Sequence, residues 1–269
     1  MTGEFTVIFD THAHYDDEAF DGDRQELLLC MRENGIGTIV NVGASLESSQ
    51  KTLALSEEYP FIYAALGVHP SETEELNDDL MEGLKQTILR HSVRNGGKVV
   101  AVGEIGLDYY WNDEDEPDRE IQKKWFERQI ALAREVRLPV IIHSREAAKD
   151  TFEIMKEHKA GENGGIVHCY SYSRELARDF LNMGFSFGIG GVLTFKNSKK
   201  LKEVVEYLPM DRILLETDCP YLSPVPNRGK RNSSLNLPYV VKAVSEIKGI
   251  AEEQVIEITE KNARKLFGL

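Results

Sequence analysis

Eight short runs of apolar, largely β-branched residues recur along the 269-residue chain, and this rhythm limits its fold more than any other feature. They read TVIFDTHAH, TIVNVG, FIYAALGVHP, VVAVGEIGLDY, PVIIHSR, GIVHCYS, FSFGIGG and ILLETDCP. Between them lie charged stretches with helical periodicity, such as DRQELLLCMRENG and REIQKKWFERQIALAREV. Strands that are apolar throughout are buried on both faces. Their alternation with amphipathic helices describes a parallel sheet covered by helices. Eight such units at this length predict an α/β fold of the (β/α)8 TIM-barrel type rather than an open doubly wound sheet. No linker-like or low-complexity stretch interrupts the pattern, so residues 1–269 are expected to form a single domain.

The polar residues that end these strands carry the chemistry. A side-chain period of two puts His12 and His14 on one face of the first strand. In a barrel that face is the interior, at the C-terminal mouth where active sites are built. The third segment ends in His69, the fourth carries Glu104, the fifth ends in His143, the sixth contains His168 and the eighth ends in Asp218. Five of the seven histidines thus fall near strand ends, while His91 and His158 lie in helical or loop sequence and read as solvent-facing. A lone histidine at a strand end is usually structural. A convergence of His12, His14, Glu104, His143, His168 and Asp218 needs a common partner, because each unpaired buried polar group costs ~2–7 kcal/mol. Imidazole and carboxylate suit Zn, Mg, Mn or a similar divalent ion, and six donors exceed what one tetrahedral zinc requires. The expectation is two divalent metal ions per chain, with Glu104 on a middle strand placed to bridge them.

With these motifs in order, FDTHAHYD, GVHP, GEIGLDYYW, PVIIHSREA, HCYS, LLETDCPYLSP and RGKRN, the chain resembles the TatD family of metal-dependent hydrolases. The resemblance runs over essentially its whole length. It implies that His12, His14 and Asp218 hold one metal with help from Glu104, while His143 and His168 hold the second and share Glu104. It also implies a deoxyribonuclease, often a 3′→5′ exonuclease on single-stranded DNA or short oligonucleotides. Related barrels commonly bridge their metals with a carbamylated lysine. The carboxylate at Glu104 therefore disfavours a dihydroorotase-like or phosphotriesterase-like enzyme. A D-aminoacyl-tRNA deacylase using the same centre is the alternative.

Two closely spaced cations supply hydroxide at neutral pH and polarise a phosphoryl oxygen, with Asp218 as the candidate base. His69 has two roles open to it, a hydrogen bond to the scissile phosphate or packing under Pro70. Arg228, Lys230 and Arg231 have no acidic sequence neighbour and are expected over the mouth, holding flanking phosphates. Tyr109, Tyr110 and Trp111 are placed to stack on bases or to close the core. Trp125, Phe126, Ile130 and Ala133 read as core. The net charge of −13 argues against coating nucleic acid through a general basic surface, though not against a local patch.

Three scattered cysteines exclude a disulfide framework or CxxC zinc site. Alternation should turn Cys169 and Cys219 away from the metals as buried, inert thiols. With no apolar run of ~18 residues and no signal-like N-terminus, a cytoplasmic protein is expected, with no membrane association and no obligate protein partner. Two features depart from the family pattern. The basic loop usually continues as Arg-Asn-Glu-Pro, whereas here Asn232 is followed by Ser233 to Pro238, and the stretch from Asn112 to Glu120 holds six acidic residues that would repel a long polyanion if they overhang the mouth.

Overall fold

The computed structural model describes residues 7–110 and 118–269. Eight parallel strands follow one another around a barrel in strict chain order. They are β1 (Ile8–Ala13), β2 (Ile36–Val42), β3 (Ile62–Leu66), β4 (Val99–Asp108), β5 (Val140–Arg145), β6 (Gly165–Val167), β7 (Ser186–Ile189) and β8 (Ile213–Leu215). The helices that cover them are α1 (Arg24–Leu29), α2 (Leu46–Glu58), α3 (Asp78–His91), α4 (Arg119–Val136), α5 (Ala148–Glu157), α6 (Arg174–Asn182), α7 (Lys199–Tyr207), α8 (Leu237–Lys248) and α9 (Glu252–Phe267). The (β/α)8 expectation is met.

Each strand is apolar on both faces because both are covered. The outward layer joins Ile36, Ile39, Ile62, Leu66, Val102 and Ile142 to buried helix residues such as Trp125, Phe126, Ile130 and Ala133 of α4. The inward layer is smaller, with Phe9, Val40, Val42, Ala65, Ala101, Ile141, Ile166 and Leu214 joined by Phe267 of α9. Phe9 and Phe267 stack with ring centroids 5.9 Å apart, so α9 packs its end against this inner core. Among the described residues, no helix is long and apolar enough to cross a membrane.

Two strands lose regular register where it matters for the mouth. The β1–β2 ladder shifts between Asp10 and Ala13, and the β4–β5 ladder shifts between Val102 and Ile105. Such irregularities at a barrel rim re-aim side chains, and they bracket His12 and Glu104. At Gly106 (φ +152°) the β4 and β5 backbones approach so closely that a Cβ would strike the His143 carbonyl, and glycine is required.

Between β1 and β8 the barrel closes through a parallel bridge from Ala13 to Cys219 and through Asp10. One oxygen of this buried carboxylate accepts from the backbone N–H groups of His12 (3.2 Å) and Thr217 (3.1 Å). The other accepts from the hydroxyls of Thr217 (2.7 Å) and Ser234 (2.6 Å). Burial pushes the Asp10 carboxyl up to about 7 although these four hydrogen bonds oppose it. Ser234 lies in the segment that departs from the family pattern, which forms a short 3-10 turn at Ser234–Asn236 before α8. Its backbone N–H donates to the Tyr15 hydroxyl at 2.8 Å, and Asn232 donates to the Thr217 carbonyl at 3.0 Å. Asp10→Ala would orphan these donors at about 1–3 kcal/mol for each group left unsatisfied. Urea unfolding should show a loss of at least about 3 kcal/mol, and a loss below about 1 kcal/mol would remove Asp10 as the brace.

Candidate metal centre

The side chains gather where the strands end. His12 lies near the end of β1 and His14 just beyond it, Glu104 is inside β4, and His143 is inside β5. His168 immediately follows β6, while His69 and Asp218 lie three residues past their strands on the loops that follow. The nearest nitrogens of His12 and His14, both Nε2, are 3.0 Å apart. Glu104 faces two ways. Its Oε2 lies 3.4 Å from His12 Nε2 and 3.8 Å from His14 Nε2, whereas its Oε1 lies 2.8 Å from His143 Nδ1 and 3.3 Å from His168 Nε2. Asp218 Oδ1 is 3.4 Å from His14 Nε2 and 3.7 Å from His12 Nε2.

This donor set fits divalent cations. Donor atoms of His12, His14 and Asp218 lie within 4.8 Å of one another, as do those of His12, Glu104 and His168, and those of His69, Glu104 and His143. His14 Nδ1 donates to the Val42 carbonyl at 2.8 Å, which fixes the ring and aims Nε2 at the cluster, as a metal-ligating imidazole requires. Nδ1 atoms of His12 and His168 and Oε2 of Glu216 are buried without a hydrogen-bond partner. So many polar atoms packed together is the signature of a functional centre rather than of a core.

A family model described as TatD related DNase matches residues 9–268. The chain belongs to the TatD family. It is 43% identical over 97% of its length to YabD of Bacillus subtilis, an uncharacterized metal-dependent hydrolase that the match covers to 99%. It is 33% identical to YcfH of Escherichia coli, described in the same words, over 97% of this chain and 95% of that one. The crystal structure of the TatD homologue YjjV from Escherichia coli superposes with a TM-score of 0.89 at 33% identity, over 98% of this chain and 99% of that one. Like these relatives, the protein is a metal-dependent hydrolase.

Charge in this TatD-family centre is balanced internally. Burial favours the neutral acid at Glu104, but the imidazoles of His168 and His12 outweigh it and hold the carboxyl well below its usual range. Asp218 is lowered in the same way, against burial, by His168 and His14. Burial opposes a proton on His14, yet Asp218 raises that ring to about 9. Glu216 and Glu104 likewise raise His168 to about 10. Burial and the neighbouring His143 push His69 down to about 3, so it is neutral at physiological pH.

Alternation along β4 and around β8 also brings in two acids that motif reading passed over. Asp108, four residues after Glu104, has Oδ2 3.1 Å from His143 Nε2. Glu216, two residues before Asp218, has Oε1 3.3 Å from His168 Nδ1 and accepts from the Cys169 N–H at 2.6 Å. The cavity above the cluster measures about 630 Å³ and is walled by Asp16, Asp17, Glu18, Lys51, His69, Arg145 and Tyr221 besides the central groups.

Several expectations are corrected. Arg231 does have an acidic neighbour in space. It grips both carboxylate oxygens of Asp23 (2.7 and 2.5 Å) and lies over Phe20. Arg228 lies over the Phe195 ring, 4.4 Å from its centroid, and neither they nor Lys230 line the cavity. Tyr109 is also outside the lining, because its hydroxyl donates to Asp150 at 2.9 Å and Arg119 covers its ring. Cys169 does not turn away. Its backbone is left-handed (φ +44°), which ends the alternation of β6, and its sulfur lies within 4.8 Å of donor atoms of His168 and Asp218. Cys219 is fully buried, as expected. His91 and His158 are half-buried beside Glu57 and Glu127 rather than open to solvent. Trp111 and residues 112–117 of the acidic stretch lie outside the described residues.

Metal loading should depend on pH with a definite sign. His14 and His168 carry protons below about 9 and about 10 when no cation is bound, so a cation must expel them. Apparent affinity for Zn²⁺ or Mn²⁺ should rise as pH rises from about 6 to about 8, with roughly one to two protons released per chain. Calorimetry in buffers of different ionisation enthalpy measures this, and affinity that is flat over that interval would contradict it.

Proposed function

We propose that the protein is a deoxyribonuclease that releases nucleotides from the 3′ ends of single-stranded DNA or short oligonucleotides. In this proposal His12, His14, Glu104, His143, His168 and Asp218 hold two divalent cations. The observation that carries the proposal is the two-sided disposition of Glu104, whose Oε2 faces His12 and His14 and whose Oε1 faces His143 and His168. One carboxylate between two sets of imidazoles suits a pair of ions better than one. Bound there, the cations would lower the pKa of a water and neutralise charge on the scissile phosphate.

The protein's own groups would do the rest. Asp218 is the acceptor for the proton of the attacking water. It is ionised, and its side chain keeps 18% exposure toward the cavity. His69 is a donor of fixed direction. Its Nδ1 accepts from the Ser71 N–H at 3.2 Å, so the single proton of the neutral ring sits on Nε2 and can reach a phosphoryl oxygen. Lys51 and Arg145 are the cations of the cavity wall, and they take the place that sequence reasoning gave to the RGKRN loop. A carbonyl ester such as a D-aminoacyl-tRNA would meet the same centre, and its terminal phosphates could use the same two cations, so the two substrates are separated by assay.

Release of nucleotides from labelled single-stranded DNA, with and without added Mn²⁺ or Zn²⁺, tests the proposal beside a D-aminoacyl ester assay. Ester cleavage without any phosphodiester cleavage would overturn it. Asp218→Asn should lower kcat by ~10²-fold or more with the fold retained, since an amide cannot take the proton. Wild-type turnover in that variant would assign the base elsewhere.

Lys51→Ala and Arg145→Ala should raise KM on oligonucleotides. Each should also flatten the log–log salt dependence of binding by about 0.7 if one phosphate contact is lost. Unchanged salt dependence would remove these two residues from substrate binding.

A further inference from the structure

Beside the polar cavity lies a second lobe of about 450 Å³, and the two share His143, Arg145, His168, Asp218 and Tyr221. The lobes differ in chemistry. Beyond the shared residues, the first is walled by Asp16, Asp17 and Glu18, whereas the second is walled by Tyr170, Val192, Leu201 and Leu222. On its β7 side the wall is the backbone of Gly188 and Gly190, and a Cβ at Gly188 would strike the Glu216 carboxylate packed behind it. Tyr221 and Leu222 form its rim and are 56% and 37% exposed, large apolar groups held in water next to a polar centre.

The backbone is shaped around the same space. Cys169 (φ +44°), Asp218 (φ +57°) and Leu222 (φ +54°) all line the lobe in the left-handed region, which side chains of this kind rarely adopt. Such conformations persist where the surroundings over-determine them, and they cluster at ligand clamps.

We propose that this lobe is a subsite for one nucleobase, the one borne by the nucleotide whose phosphate lies at the metal centre. The assignment rests on the phosphodiesterase proposal and names what that proposal leaves open, where the base goes. Charge decides between the lobes, because a base gains nothing from three carboxylates and buries its faces against aliphatic and aromatic walls. Size limits the occupant. About 450 Å³ is near the small end of ligand pockets, which run from about 300 to 1,000 Å³, so one base with its sugar fits and a stack of several does not. Contacts through ring faces and aliphatic groups discriminate little between bases. One narrow base slot beside the reactive phosphate also suits removal of nucleotides singly.

The test uses the metal-loaded protein and two readouts. Deoxynucleoside monophosphates should inhibit at least about tenfold better than deoxyribose 5-phosphate, with the four bases within a few-fold of one another. A 2-aminopurine deoxynucleotide should change its fluorescence on binding, a signal that needs no cleavage. Val192→Trp, which fills the lobe, should abolish the advantage of nucleotide over sugar phosphate. Leu222→Ala, at the exposed rim and so easily tolerated by the fold, should reduce it. Equal inhibition by nucleotide and sugar phosphate in the wild type would overturn the proposal, as would a full advantage in folded Val192→Trp. Failure of the phosphodiesterase proposal looks different. Neither base-bearing nor abasic oligonucleotides would then be cut, whereas failure of the lobe alone would leave both cut at equal rates.

Discussion

Glu104 sits in the mouth of the barrel with almost no exposure and with imidazole nitrogens facing each of its oxygens. A carboxylate buried in this way is stable only if opposite charge surrounds it, and the other groups of the centre supply that charge from different strands. Much of the surrounding architecture can be read as the means of holding them there. The register shift in β4 brackets Glu104, the shift in β1 brackets His12, and the close β4–β5 approach at Gly106 fixes His143 beside it. Asp108 and Glu216 then hold the far sides of His143 and His168.

A second carboxylate stabilises the arrangement from beneath. Asp10 touches none of the cavity, yet it joins β1, the loop that carries Asp218 and the turn at Ser234. The family-atypical segment after Asn232 is therefore part of the support of the centre rather than part of its substrate surface.

The barrel and its strand-end constellation were legible because both follow from short-range periods. Alternation of apolar runs with helical stretches gave the architecture, and a period of two aligned His12 with His14. The same period could have found Asp108, Glu216 and Arg145, which lie an even number of residues from Glu104, Asp218 and His143 within the same motifs, but only the residues that end the strands were singled out. It failed at Cys169, where a left-handed backbone reversed the direction of the side chain. It could not foresee that Arg231 would close on Asp23 or that Lys51, on a helix, would reach the cavity wall. Those pairings are long-range, and no local pattern encodes them.

The closure between β1 and β8 bears on when the polar centre becomes complete. Asp10 meets Thr217 across 207 positions of chain, and His12 meets Asp218 across a similar span. Contacts so remote in sequence form late, because the entropy of closing the loop precedes any gain from the contact. A nascent barrel that has made β1 to β6 already presents His12, His14, Glu104, His143 and His168, but without Asp218 or the brace that holds the first strand in place. The last donor and the brace thus arrive together with the final closure of the barrel, so the complete centre exists only in a finished fold.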